Sequence, residues 1–304
     1  MITKILDQGN SGHRADWYTQ ISQHTNSKDL QSIKNYGLKS LIEIREPLII
    51  SFFDENKYFF LLIVLIRKLL FRKTIALYFS WTNRWSPNKY SLKFLEYYLF
   101  YICTFIFNIK LITPFLKKSK RFLIDFSYFD IEKHNIYNPN KKYFLSFFGS
   151  ASDIKNFKLF LECADAISSD ERKILVQTNS TLSPISLKMI QNNPNIDLIN
   201  KFVSKEQYLK NMSSTTIVWS FYRKDYDQTS GIFGHAHQLG KKILIRSGSL
   251  LSGFNSNNII EAATKESIIK ELNSKISFHD SYNQINLEFI NQCKSYWNNA
   301  LRHF

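Results

Sequence analysis

The sequence predicts an α/β protein built from two doubly wound domains, each with a parallel sheet. Three observations carry that expectation. Short apolar runs alternate with longer helical stretches along the chain, the pattern of strand–helix–strand units. The alternation starts twice, with the polar joint "DIEKHNIYNPNKK" (130–142), which carries Pro139, between the two series. The chain is 304 residues long, and single cores stop growing at about 250–300 residues. The domains are therefore expected at 1–138 and 139–304, with the final helix free to pack across both.

The first series opens with the strand "TKILDQ" (3–8), followed by "GNSGHRADWYTQISQ", a glycine-containing loop that runs into a helix. "LKSLIEI" (38–44) and "PLIISFF" (47–53) read as strands. "DENKYFFLLIVLIRKLLFRK" (54–73) reads as a long helix, with Asp54 and Glu55 in a first turn where the helix dipole favours acids. A strand at 74–81 comes next. The serine–proline pair that begins "SPNKYSLKFLEYYLFYICTFIF" (86–107) is a good helix opening. "IKLITPF" (109–115) and "RFLIDF" (121–126) complete the series as strands. The second series has strands at 143–149, 173–178, 196–200, 215–221 and 241–246. Helices at 153–168, 183–193, 204–212 and 229–240 lie between them, and a last helix begins at 287.

Composition narrows the class. With 44% hydrophobic, 15% aromatic and 21% charged residues the chain is globular rather than disordered. Its net charge of +15 implies an anionic partner. Cys103, Cys163 and Cys293 are far apart and match no metal spacing, which points to a reducing cytoplasm. The N-terminus "MITKILDQGN" turns polar too soon for a secretory leader. The apolar stretches 58–66 and 94–107 both fall short of the roughly 20 residues that a membrane span needs.

One stretch stands out, "DQTSGIFGHAHQLGKK" (227–242). It holds three of the nine glycines (Gly231, Gly234, Gly240) and two of the seven histidines. Glycine allows the backbone to approach a ligand closely. In an open parallel sheet, ligands bind on the loops that leave the carboxyl ends of strands. Thr229, Ser230 and Gly231 open the helix after the 215–221 strand, so their hydroxyls and N–H groups suit a phosphate as well as a helix cap. Arg223 and Lys224 add charge, on a site or on a solvated face. His235 and His237 are two positions apart and face different sides of a helix, so they do not read as a metal chelate.

These residues resemble the C-terminal domain of GT-B glycosyltransferases. The likeness rests on "SKEQYLKNM", "SFYRKDYDQTSG" and "HAHQLGKKILI", with "FFGSASDIKNF" resembling that domain's first strand and loop, and "GNSGHRADWY" the N-terminal glycine loop. The resemblance implies two Rossmann-like domains facing a cleft and the transfer of sugar from a nucleotide donor. His235 stands where retaining members carry a glutamate, with Ala236, Gly240 and Lys241 matching the pattern. Asp227 falls where the family has an earlier glutamate. The implied nucleotide-sugar site is Arg223, Thr229, Ser230, Gly231 and His235, with His235 a ribose or phosphate contact or else a core histidine. In the first domain, Gly12 and Arg14 would face the cleft. His13 is a candidate base for an acceptor hydroxyl or an acceptor contact. Asp54 is a rival base or only a helix cap, and Asp16 a weaker one.

Residues 57–121 carry 13 Lys or Arg, one acid (Glu96) and 17 aromatics. Beyond a solvated face with core aromatics, this composition suits a segment lying on an anionic membrane. It also suits phosphate contacts to nucleic acid. The expected activity is metal-independent, hexosyltransferase-like transfer from a nucleotide sugar to a glycan acceptor, carried on polyprenyl diphosphate. The expected product is a surface polysaccharide such as lipopolysaccharide O-antigen or capsule. The nucleotide sugar is a co-substrate and no cofactor or metal is expected. The expected location is the cytoplasm, peripherally at the inner face of the membrane, with no nucleic acid partner. The alternatives are a nucleic-acid-binding protein that uses 57–121 and a non-catalytic sugar-nucleotide-binding scaffold.

Overall fold

The computed structural model describes residues 4–7, 21–22, 29–32, 38–50, 57–78, 99, 102–103, 105–107, 109–113, 122–125, 128, 131, 142–169, 172–224, 230–254, 256–274 and 287–301. The chain divides into two compact units: Met1–Phe126 with Asn291–Phe304, and Ser127–Ile290. The division falls ahead of the joint expected at 138–139, and most of the last helix groups with the first unit.

The first unit holds six strands: β1 (Lys4–Asp7), β2 (Asp29–Ser32), β3 (Leu48–Ile50), β4 (Thr74–Tyr78), β5 (Ile109–Thr113) and β6 (Phe122–Ile124). They lie in the order β2-β1-β3-β4-β5-β6, every pair parallel. Parallel strands covered on both faces read as unbroken apolar runs, and Leu48, Ile49, Ile50, Ile75, Ala76 and Leu77 are all buried. The polar "DLQS" of β2 forms the sheet's edge. It carries no such run, and the sequence did not suggest a strand there.

The strand expected at 38–44 is instead a short helix, α1 (Leu38–Glu43). Leu41 in the helix and Ile44 just past its end are buried, a spacing of three that suits a helical turn and not an alternating strand. Arg67 fixes this local structure. It lies in α2 (Lys57–Leu69) and is fully buried. Its guanidinium donates to the carbonyls of Leu41 (3.1 Å), Glu46 (2.8 Å), Ile44 (2.5 Å) and Lys73 (3.3 Å), and Nε donates to Thr74 Oγ1 (2.7 Å). Burial, with Arg72 nearby, lowers its pKa to about 10. The inner face of α2 packs Phe60, Ile63 and Val64 with Cys103, Ile109 and Leu111. The described residues of the helix expected at 86–107 are helical apart from Phe107.

The second unit has β7 (Tyr143–Phe148), β8 (Ile174–Thr178), β9 (Ile196–Asn200), β10 (Thr215–Ser220), β11 (Lys242–Arg246) and β12 (Ile259–Ala262). Its helices are α3 (Phe157–Ile167), α4 (Pro184–Asn192), α5 (Lys205–Ser213), α6 (Gly231–Gln238) and α7 (Lys265–Asn273). Capping explains where several of them start. Ser183 before Pro184, Ser204, and the Thr264–Ser267 capping box satisfy the first N–H groups of α4, α5 and α7. The sequence reading had left β12 and α7 unassigned.

The strand order is β12-β11-β10-β7-β8-β9, all parallel. The chain lays down β7, β8 and β9 in one direction, then returns past β7 to lay down β10, β11 and β12 in the other. This is the doubly wound order with its switch point between β7 and β10. Aromatic contacts knit the core: Phe147 lies 4.8 Å from Phe157 and 5.3 Å from Phe160, and Phe160 meets Trp219 edge-on at 5.3 Å. The last helix, α8 (Leu287–Leu301), buries Trp297, whose Nε1 donates to the Ile124 carbonyl in β6 (2.8 Å).

Candidate functional site

A doubly wound sheet leaves a crevice where the loops after its two switch-point strands part. After β7 the chain turns at Gly149, whose φ is +88° and whose N–H donates to the Gln177 carbonyl (3.0 Å). A 3-10 turn, Asp153–Lys155, and a left-handed Asn156 (φ 51°) then lead into α3. The backbone conformation of Gly149 favours glycine, and a side chain there would displace Lys155. That φ is one that L residues rarely adopt. An added Cβ would also lie 2.5 Å from Lys155 Nζ and 3.2 Å from Ile232 Cδ1.

That contact brings Lys155 and the first turn of α6 to the same point. Among the described residues, the hydrogen bond Lys155 Nζ makes is a long one, to the Phe148 carbonyl at 3.5 Å. Burial of the ammonium lowers its pKa to about 8. Ser230 caps α6 by accepting from Phe233 N–H (3.3 Å), and its Oγ lies 2.7 Å from the Tyr222 hydroxyl. The earliest N–H groups of a helix have no intrahelical acceptor. In α6 they sit at Gly231 and Ile232, beneath the positive end of the helix dipole. A half-buried ammonium, a glycine turn and a helix N-terminus thus converge at the switch point, an arrangement chemically suited to an anion.

His235 is buried one turn further along, with Nδ1 3.2 Å from the Tyr208 hydroxyl and the two rings 5.6 Å apart. Tyr208 in turn meets Phe148 edge-on at 5.5 Å, so His235 faces α5 behind the end of β7. His237 turns away into a cage of Phe233 (6.1 Å), Phe254 (5.5 Å) and Phe289 (4.7 Å). Its Nδ1 finds no hydrogen-bond partner among the described residues, and burial lowers its pKa to about 4. Arg223 is exposed. Its N–H donates to the Ile154 carbonyl (2.8 Å), and its side chain lines an open groove with Asp153, Asn156 and Glu162, which Lys155 does not line.

Of the residues singled out in the sequence, Ser230, Gly231 and His235 come together on α6, while Arg223 stands on the neighbouring groove. Thr229, Asp227, His13, Gly12, Arg14, Asp16 and Asp54 lie outside the described residues. Sequence reasoning did not pick out Lys155, Gly149 or Tyr222. The signal available for the first two was a lysine six positions after a glycine in the first strand–loop of the second series. Among the described residues, no group of three or more His, Cys, Asp or Glu is placed to hold a metal ion.

No protein-family model and no curated protein matches the sequence. Solved structures do match it. Trehalose-6-phosphate synthase OtsA aligns over 99% of this chain and 95% of its own, with 7% identity and a TM-score of 0.55. A candidate UDP-N-acetylglucosamine 2-epimerase from Listeria monocytogenes aligns over 98% and 90%, with 11% identity and a TM-score of 0.53. MurG from Acinetobacter baumannii aligns over 100% and 95%, with 9% identity and a TM-score of 0.51.

The chain has the GT-B fold. At these identities the likeness speaks to architecture alone. Within this GT-B fold, the switch point between β7 and β10 belongs to the second domain, where Lys155 and the start of α6 meet. Among the described residues, no helix is long and apolar enough to cross a membrane.

Proposed function

We propose that the protein is a glycosyltransferase that binds the diphosphate of a nucleotide sugar at the switch point of its second domain. The observation that carries this reading is the Lys155 ammonium, half-buried beside Gly149 and the first turn of α6 and partly desolvated there. An ammonium held out of water is costly unless an anion accompanies it, and a diphosphate supplies that anion. The bond between the anomeric carbon and the diphosphate oxygen breaks during transfer, and its electron pair leaves with the nucleoside diphosphate. Lys155 and the N–H groups of Gly231 and Ile232 would stabilise that developing charge, the electrostatic task that a metal performs in other sites. His235, held by Tyr208, would contact the donor beyond the diphosphate, and Thr229 and Arg223 would add polar contacts at its edge.

The acceptor hydroxyl forms the new bond to the anomeric carbon and gives its proton to a base, for which His13 and Asp54 are the candidates in the first domain. Gly12 and Arg14 would accompany them on the acceptor side. We assign the acceptor to a glycan on a polyprenyl diphosphate, used at the inner face of the membrane in lipopolysaccharide or capsule synthesis. The basic and aromatic composition of 57–121 supports this reading.

Calorimetry with nucleoside diphosphates and their matching nucleosides tests the donor site. Lys155→Met should lower diphosphate affinity by roughly ten- to a hundredfold, the loss of one charged hydrogen bond, and leave nucleoside affinity nearly unchanged. Equal diphosphate affinity in the folded variant would place the donor elsewhere. A wild type that responds to oligonucleotides and to no nucleotide sugar would sink the glycosyltransferase reading.

A further inference from the structure

We propose that the outer face of α2, ending in Phe71, docks the first domain on an anionic lipid surface. The inner face of α2 is spent on the core, so its outer face should be polar, as in an ordinary surface helix. It is not. Tyr58, Leu62, Leu65 and Leu69 follow one another at helical spacing of four, three and four, and all are exposed.

The end of the helix adds a second observation. Arg72 N–H donates to the Arg67 carbonyl (2.8 Å) and Phe71 N–H to the Lys68 carbonyl (2.9 Å), the paired bonds of a Schellman motif. The position between them calls for a left-handed residue and is usually glycine. Here it is Phe71, at φ 53° and 97% exposed. Glycine would close the helix with less strain, so a bare phenyl ring held in water at this position suits a wedge that enters an apolar phase.

Charge identifies that phase. At the end of α2 and just beyond it stand Lys68 and Lys73, both exposed, and Arg72, half-buried, and residues 57–78 contain no acid. Cations flanking aliphatic and aromatic side chains match headgroup phosphates above acyl chains. A second copy of the same face would instead set these cations against one another. Lys68 Nζ donates to the Ile106 carbonyl and lies 5.5 Å from the Phe107 ring centre, joining the end of α2 to a segment where Ile106 is also exposed. At 13 residues, α2 is about 20 Å long, too short to cross a hydrocarbon core of about 30 Å. It therefore lies along the surface.

The proposal deepens the lipid-linked acceptor reading by naming the surface involved. It rests on residues that the donor site does not use, so the two fail separately. The test is co-sedimentation of the full chain with phosphatidylcholine vesicles, with and without phosphatidylglycerol, alongside thermal melts and nucleotide calorimetry. The wild type should bind the anionic vesicles more tightly, and added salt should weaken that preference. Phe71→Gly should lower binding to anionic vesicles by roughly tenfold, the loss of one buried aromatic side chain. Its melting temperature should hold or rise, since glycine suits the left-handed position, and its nucleotide affinity should not change. Leu65→Gln with Leu69→Gln, a second variant on the stripe, should lose binding likewise. The proposal is overturned if the wild type ignores anionic vesicles at physiological salt, or if either variant binds as the wild type does. It is also overturned if the wild type is a dimer that Phe71→Gly converts to monomer, because a second copy then covers the face.

Discussion

Lys155 carries opposite pH trends for stability and for binding. Burial holds its folded pKa at about 8, below its ordinary value of 10.5. The unfolded chain keeps this proton up to about 10.5, so between the two values the unfolded state binds more protons, and stability rises with pH. Below pH 8 the cost of the desolvated ammonium is fully present. A bound diphosphate favours the charged form, so its affinity should be highest below pH 8 and fall as pH rises through that value. Melting temperature and diphosphate affinity, both measured from about pH 7 to about pH 10, should therefore move in opposite directions. In Lys155→Met both slopes should flatten. Parallel trends would mean that Lys155 does not meet the anion. Lysine and arginine together number 40, and a place six residues after Gly149 is too slight a mark to set this lysine apart from the rest. Its placement against Gly149 and Ile232 does so. Ser230, Gly231 and His235 stand out in the sequence because glycine and histidine are scarce in this chain and cluster after one strand, and the structure places the three on one helix.

At the scale of elements, the start of α6 decides the site's geometry. Ser230 both caps the helix and meets the buried Tyr222 hydroxyl, so it fixes where the free N–H groups point. Ser230→Ala should destabilise the second domain by about 1 kcal/mol, the usual worth of a cap, and leave Tyr222 without this partner. Diphosphate affinity should fall with it, and Ser230→Thr should recover most of both. Unchanged stability in the alanine variant would show that the cap is idle. Elements were legible where burial on both faces left unbroken apolar runs, as in β7, β8, β10 and β11. They were misread where tertiary contacts overrode local pattern. "LKSLIEI" passes for a strand until Arg67, at a separation of 26 residues from Leu41, gathers the carbonyls of a helical turn. β2 is polar because it sits at an edge, and an edge leaves no apolar signature in so short a strand.

Over the whole molecule, the doubly wound architecture was legible from alternation and from its double start, but the membership of the last helix was not. Nothing local in "LEFINQCKSYWNNALRHF" tells which sheet Trp297 will cover. The structure gives it to β6, through the bond from its Nε1 to the Ile124 carbonyl, and Asn291–Phe304 count with the first unit. Deleting residues 291–304 should therefore weaken the first domain selectively. Its peptides should become the early products of limited proteolysis, while the second domain keeps its nucleotide affinity. Early cleavage confined to the second domain would contradict the assignment.

That same helix has a consequence for how the protein is made. A ribosome delivers β1 to β6 first, and domains emerging in sequence ordinarily fold in that order. Here the first domain lacks the cover for β6 until Trp297 and its neighbours have been synthesised, whereas the strands and α3 to α7 of the second precede them in the chain. The domain that is begun first is completed last, and until then the Ile124 end of its sheet is left to chaperones or to chance.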